Sequence, residues 1–339
     1  MVRVMSQNTF RVLIAGVGSI GQRHLRCFQA TGRAELSLCE INDELRQTIQ
    51  QRYGVERVYA DFEQALGAEH DAVVIATPAP LHVSLATRAV QAGLHVLIEK
   101  PLSTSLDGLE DLAALVHTKG VTVGVAYTFR HYPVLAEMRE AIRSGRFGKP
   151  LHMMSFTGQN FPTYRPAYRQ TYYTRRETGG GAIQDALTHV LNAGEWLVGP
   201  IDRLAADAAR QALDGVEVED TVNLIARHGD VLAAYSLNQY QAPNEHSMTV
   251  VCQRGTVRCE PYKHRWRWMV EPQGDGEWQD EQHEPLERDS LFIMQAKSFL
   301  DAIQAKREPA CTLQEGIQTL KANLAALRAV DEGTWQQVR

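Results

Sequence analysis

The chain has 339 residues, 44% of them hydrophobic and 22% charged, with 35 Lys and Arg against 40 Asp and Glu for a formal charge of −5. A chain of this length holds about two domains, each able to bury a core without disulfide or metal staples. Its mildly acidic balance excludes a global attraction to nucleic acid or anionic lipid, and no apolar run approaches the roughly 20 residues that span a bilayer.

The opening residues MVRVMSQNT lack the apolar centre and cleavage site of a signal peptide. From Phe10 the run F-R-V-L-I-A is apolar, β-branched and closed by glycines, the pattern of a buried parallel strand. A helix is predicted from about 20 to 30, a second strand ending at Glu40, and a helix over 42–53. Asp71 to Ala76 reads as a strand that stops at Thr77-Pro78, followed by a helix over 82–92 with Gly93 as its C-cap. A strand over 95–98 leads into Glu99-Lys100-Pro101, and a helix over 106–118 with a strand over 121–125 completes the alternation. Strands alternating with helices of this length argue for βαβ units and a doubly wound parallel sheet, an α/β fold. Beyond about residue 130 the alternation stops. A helix over 133–144 precedes strands at 151–157, 221–227, 231–239, 248–252 and 256–260, with a helix near 182–197 and two long helices after 289. This half is expected to be an α+β domain on a large, open, mostly antiparallel or mixed sheet. The five cysteines are odd in number and form no C-x-x-C pair, so they read as small buried hydrophobes in a reducing cytoplasm.

Gly16-Val17-Gly18-Ser19-Ile20-Gly21 is a G-x-G-x-x-G between the first strand and its helix. The first glycine permits a tight turn, the second lets a pyrophosphate approach backbone, and the third lets helix pack on strand. The phosphates would meet the N–H groups at the positive end of the helix. Glu40, nineteen residues after Gly21, ends the second strand where an acid accepts hydrogen bonds from an adenosine ribose diol. No arginine follows it immediately, and its charge repels a 2′-phosphate, so NAD is favoured over NADP.

Thr77-Pro78 and Glu99-Lys100-Pro101 fall at strand ends, where open parallel sheets bind ligands. Lys100 is either a surface loop lysine or a group that hydrogen-bonds a hydroxyl becoming a carbonyl, and Glu99 either pairs with it or buttresses the loop. The run Gly179-Gly180-Gly181 enters a helix carrying Asp185 and His189 four residues apart, hence on one face. Three glycines permit close approach by a ligand, and an imidazole can take or return the proton of an alcohol. The alternative is a surface Asp–His pair. The remaining histidines are scattered without H-E-x-x-H spacing, so no metal is expected. Residues 160–176 hold four arginines, four tyrosines and no acid until Glu177. A pocket wall or lid for a polyhydroxylated substrate, with Arg165 or Arg175 meeting a carboxylate or phosphate, or an intersubunit arm, fits better than nucleic-acid stacking. Tyr127 and Arg130 could contribute beside it.

The motifs in order, Gly16 to Gly21 with Gln22-Arg23-His24, Thr77-Pro78 with His82, Gly93-Leu94-His95-Val96-Leu97-Ile98-Glu99-Lys100-Pro101, and Gly179 to Asp185 with His189, resemble the Gfo/Idh/MocA family of glucose-fructose oxidoreductase and inositol dehydrogenase. The resemblance implies an N-terminal Rossmann domain, placed at 10–128. It also implies a C-terminal domain at 129–339 that binds substrate and oligomerises through the open face of its sheet, as a homodimer or homotetramer. Packing of the C-terminal helices back on the first domain is compatible with the same reading. It further implies NAD(P)-dependent hydride transfer to or from a secondary alcohol of a sugar, inositol or sugar derivative. Lys100, Asp185 and His189 match the family's lysine, substrate-contacting aspartate and catalytic histidine. Cofactor contacts are then expected from Gly16, Gly18, Ser19, Ile20, Gly21, Glu40, Thr77, Pro78, His82, Glu99 and Lys100. Substrate contacts are expected from Lys100, Tyr127, Arg165, Tyr172, Asp185 and His189. Gln184 and Thr188 depart from the family pattern and are expected to reshape the pocket. Two alternatives stay open: isomerisation or glycoside cleavage with recycled NAD, and a non-catalytic NAD-dependent sensor.

Overall fold

A computed structural model describes residues 9–270 and 276–338. Residues 1–8, which include most of the segment read for a leader, lie outside it. Two compact units divide the chain. One takes the described residues up to Ser103 with Asp107–Ala126 and Glu287–Gln314; the other takes Thr104–Leu106, Tyr127–Leu286 and the chain from Glu315.

The first unit opens with β1 (Phe10–Ala15), whose apolar side chains are buried on both faces, followed by α1 (Ser19–Gln29) and β2 (Ala34–Cys39). Helix α2 (Asp43–Tyr53) starts where Asn42 Oδ1 accepts the Leu45 N–H at 2.8 Å, and it ends at Gly54 in the left-handed conformation. Then come β3 (Arg57–Tyr59), α3 (Phe62–Leu66), β4 (Ala72–Ile75), α4 (His82–Gln91), β5 (His95–Ile98), α5 (Leu109–Lys119) and β6 (Val123–Val125). Among the described residues these strands form a six-stranded parallel sheet in the order β3-β2-β1-β4-β5-β6. The order reverses beside β1, which places the end of β1 at the point where such sheets bind ligands. The three-residue β3 and five-residue α3 escaped the sequence reading because neither is long enough to show a hydrophobic period.

The second unit begins with α6 (Pro133–Arg143), β7 (Pro150–Asn160) and the single turn α7 (Phe161–Tyr164). After a π-helical turn, Ile183–Leu187, come α8 (Thr188–Val198) and strands β8 (Arg203–Ala209), β9 (Thr221–His228), β10 (Val231–Asn238), β11 (Tyr240–Cys252), β12 (Gly255–Glu260), β13 (Arg265–Val270) and β14 (Gln279–Gln282). The chain then returns to the first unit as α9 (Ser290–Ala305). There Ala296, Phe299 and Leu300 enter the core around Val12 and Leu25, and Asp289 accepts from Arg26 of α1 at 2.5 Å. Helix α10 (Leu313–Glu332) and β15 (Gln336–Gln337) close the chain.

Nine described strands form the second sheet, in the order β14-β13-β12-β11-β7-β10-β9-β8-β15. Pairing is antiparallel except between β7 and β10. One face packs with α6, α8 and α10 into a core that includes Met153, Leu191, Leu224, Tyr235, Val250 and Ala325. Along β9 and β10 buried residues alternate with exposed ones, and Met154, Phe156, Ile225 and Leu232 stand uncovered on the other face.

Candidate active site

The β1–α1 turn is built as its glycines require. Gly16 has φ +82°, and a Cβ there would lie 2.9 Å from Ala76 O; one at Gly21 would lie 1.9 Å from Gly16 O. These two glycines serve the turn's own packing. Gly18 differs: a Cβ would enter open space, its residue is exposed, and no side chain caps the helix that starts at Ser19. Ser19 is likewise exposed and Ile20 half-buried. Glu40 reaches the turn from the end of β2, accepting the Val17 N–H at 3.1 Å and the Asn42 N–H at 3.0 Å. Thr77 N lies 3.0 Å from where a Gly16 Cβ would sit, and Thr77 Oγ1 is buried without a hydrogen-bond partner among the described residues. Pro78 beside it is exposed. An open N-terminal helix end, a carboxylate at the ribose position and an orphaned hydroxyl fit a dinucleotide.

Both ring nitrogens of His82 lie against backbone carbonyls. The residue is buried, with Nε2 2.8 Å from Thr77 O and Nδ1 3.0 Å from Pro101 O, so it joins the two loops. Glu99 likewise has internal partners. Its Oε1 lies 2.5 Å from His24 Nε2 of α1 and its Oε2 accepts the Lys100 N–H at 3.0 Å. Burial alone would raise this carboxyl, but the His24 hydrogen bond and the charges of His24 and Lys100 hold it below the ordinary glutamate range. Glu99 therefore buttresses the Lys100 backbone. The signal for its partner was His24, which sits three residues after Gly21 on the buried side of α1.

In the second unit two of the three glycines have an internal cause. A Cβ at Gly180 would meet Tyr173 O at 2.2 Å, and one at Gly181, with φ +89°, would meet Glu219 Oε1 at 2.5 Å. Glu219 is buried and accepts the Ile183 N–H at 3.0 Å, which starts the π-helical turn carrying Asp185. Burial pushes the Glu219 carboxyl up. Sequence reasoning missed Glu219, although a lone Glu-Asp pair before a strand was a visible signal. The π-turn also departs from the α-helical spacing expected for Asp185 and His189. Asp185 is buried and accepts from Tyr172 Oη at 2.8 Å, so these two expected substrate residues are brought together. His189, half-buried on α8, stacks on Phe129 with ring centroids 4.9 Å apart and lies perpendicular to Tyr127 with centroids 5.9 Å apart.

Tyr127 is buried with its hydroxyl 2.9 Å from Thr188 Oγ1. Thr188 in turn accepts from Asn323 at 2.7 Å, and Gln184 donates to Arg176 O at 2.8 Å. The two departures from the family pattern are thus absorbed by internal hydrogen bonds. Arg130 is buried, donating to Asn192 at 2.8 Å and pairing with Glu315 at 2.7 Å, which makes it a tie between α8 and α10. The arginine- and tyrosine-rich segment carries a small core of Phe161, Tyr168, Tyr173, Leu213, Val216 and Val218. Arg165 and Arg175 are exposed on it. Among the described residues Glu137, Glu281 and His283 bring possible metal-ligand atoms within 4.8 Å, with His283 Nε2 2.8 Å from Glu137 Oε2 and Glu281 exposed. No helix among the described residues is long and apolar enough to cross a membrane. All five cysteines are buried thiols.

A doubly wound sheet with a phosphate-type turn and a ribose-type acid defines a dinucleotide-binding protein. Residues 10–127 match the oxidoreductase family with an NAD-binding Rossmann fold, and residues 135–258 match the Gfo/Idh/MocA C-terminal domain. The chain belongs to the Gfo/Idh/MocA family. It is 31% identical to D-apiose dehydrogenase of Paraburkholderia graminis over 65% of this chain and 57% of that protein, so the match spans little more than half of that relative. It is 24% identical to 1,5-anhydro-D-fructose reductase of Ensifer adhaerens over 90% of this chain and 91% of that one. The fold is that of a levoglucosan dehydrogenase solved with NADH and levoglucosan, with TM-score 0.89 and 20% identity over 98% of this chain and 100% of that one.

Proposed function

We propose that this protein is an NAD-dependent dehydrogenase acting on a secondary alcohol of a sugar, inositol or sugar derivative. The observation that carries the reading is the glycine turn, with open space at Gly18, an uncapped helix end and Glu40 fastened to Val17. Backbone N–H groups of Gly16 to Gly21 would hold the pyrophosphate, Glu40 the adenosine diol, and Thr77 with Pro78 the flank of the turn. When bound, the nicotinamide supplies the acceptor for the hydride leaving the alcohol carbon.

Lys100 then hydrogen-bonds the alcohol oxygen through Nζ, its backbone pinned by the buried Glu99 carboxylate. His189 takes the hydroxyl proton at an imidazole nitrogen, and in the reverse direction returns it. Asp185, oriented by the Tyr172 hydroxyl, accepts from a neighbouring substrate hydroxyl. The names of the curated relatives, a sugar dehydrogenase and a sugar reductase, support the substrate class. Arg165 or Arg175, exposed on the segment that carries Tyr172, would add recognition of a substrate carboxylate or phosphate.

The uncovered apolar face of the second sheet supports self-association of the chain through Met154, Phe156, Ile225 and Leu232, as a homodimer or as a tetramer built from such dimers. Five buried thiols support a reducing cytoplasm as its location. Calorimetric titration tests the cofactor reading: NAD is expected to bind at least about tenfold more tightly than NADP, since one repelled phosphate accounts for roughly 1.4 kcal/mol. Equal or reversed affinities would remove Glu40 from its role.

A further inference from the structure

We propose that Phe129 is a positioning residue for His189, fixing the plane of its imidazole and favouring the protonated ring. The inference rests on His189 as the proton acceptor and deepens that reading. Within the second unit the two rings lie nearly parallel, 17° apart, with centroids separated by 4.9 Å. Tyr127 packs on the imidazole as well, perpendicular to it at 90° with centroids 5.9 Å apart.

Both restraints are themselves anchored. Tyr127 is held through Thr188 to Asn323. Phe129 is wedged by Tyr132, edge-on at 5.5 Å, and by His246 at 5.2 Å. His246 is buried on β11, with Nδ1 2.7 Å from Thr157 Oγ1, its cross-strand partner on β7. The nine-stranded sheet is thereby connected to the plane of His189 through one phenyl ring.

A neutral imidazole gains dispersion from this stack, whereas an imidazolium gains the attraction of a cation for the negative face of an aromatic ring as well. Phe129 therefore favours the state that His189 reaches on taking a substrate proton. Ionisable groups near the pair include Tyr132, packed on Phe129 with burial raising its phenol so that it stays neutral. Asp185 precedes His189 on the same helical run and is bound to Tyr172. Tyr127 comes from the preceding loop. His246, behind Phe129, is pushed down to about 4 by burial and stays neutral across the range in question. Arg130, next in sequence to Phe129, is committed to Asn192 and Glu315.

The test is an NMR titration of histidine side-chain carbons in the full-length protein without added ligand. The His189 signal is assigned by its loss in His189→Asn. Phe129→Leu keeps an apolar side chain but has no π face, and it should lower the His189 midpoint by about half a pH unit, the equivalent of an exposed cation–π contact. Phe129→Tyr should restore it. Melting curves confirm that each variant is folded, and Phe129→Met takes the place of the leucine variant if that one is not. An unchanged or raised midpoint in a folded variant without the phenyl ring overturns the proposal. Turnover surviving in His189→Asn would instead defeat the reading of His189 as the proton acceptor, a result separable from the titration.

Discussion

Lys100 and Glu99 divide one task between neighbouring residues. The ammonium is proposed to act on the substrate oxygen, while the carboxylate is spent on His24 and on the Lys100 backbone. Lys100→Ala should therefore lower turnover by about 100-fold or more, the range for loss of an acid–base group, while NAD affinity stays within a few-fold. Steady-state kinetics beside a binding titration separates the two. A variant that lost NAD binding instead would make Lys100 a cofactor residue. Glu99 gives a pH prediction. Its pKa in the folded protein lies below its ordinary value of 4.5, so the stabilisation is present above that value and is lost as pH falls through the lower folded one. Glu99→Gln should melt below the parent at neutral pH, and the gap should narrow on acidification below about pH 4.5. A gap that widened on acidification would contradict the sign.

At the level of elements, the glycine turn was legible because its spacing, the preceding strand and the following helix agree, and the structure adds only that Gly16 and Gly21 are dictated by packing. The glycines at 179–181 were legible as a special loop but not for their cause, since Glu219 approaches Gly181 from distant sequence and Tyr173 approaches Gly180 from within an irregular segment. Contacts of that kind leave no local period to read. The same limit hid the π-helical turn at Ile183–Leu187, whose composition is that of an ordinary helix, and the outer strands β8, β13 and β14, which lie toward the two ends of the sheet. His82 and Glu99 were found by motif, while their internal partners, Thr77 and Pro101 for the one and His24 for the other, were not, since a motif does not say which side of a loop a side chain takes. Gly181→Ala puts a Cβ 2.5 Å from the Glu219 carboxylate at a φ of +89°. It should destabilise the protein by about 1–3 kcal/mol, read as a lowered denaturant midpoint. Stability equal to the parent would mean that the loop relaxes around the methyl group.

For the whole molecule, residues along β9 and β10 alternate between core and surface, every second one being covered, and the open face of the sheet was legible only through the family resemblance. The opposite face is unusual in being apolar too, at Ile225 and Leu232, each 51% exposed. Replacing both with aspartate should shift sedimentation from dimer or tetramer toward monomer without unfolding the chain, since neither side chain lies in the core. A parent protein that sediments as a monomer at micromolar concentration would remove this face as a self-association surface.

The most direct measurement follows the absorbance of reduced nicotinamide while purified protein meets NAD and a panel of aldoses, inositols, anhydrosugars, uronic acids and sugar phosphates. Oxidation of one compound class with accumulation of NADH is the expected result, and His189→Asn should abolish it. Protein that binds neither NAD nor NADP, and reduces neither with any compound, would contradict the assignment of this chain as a nicotinamide-dependent sugar or polyol dehydrogenase.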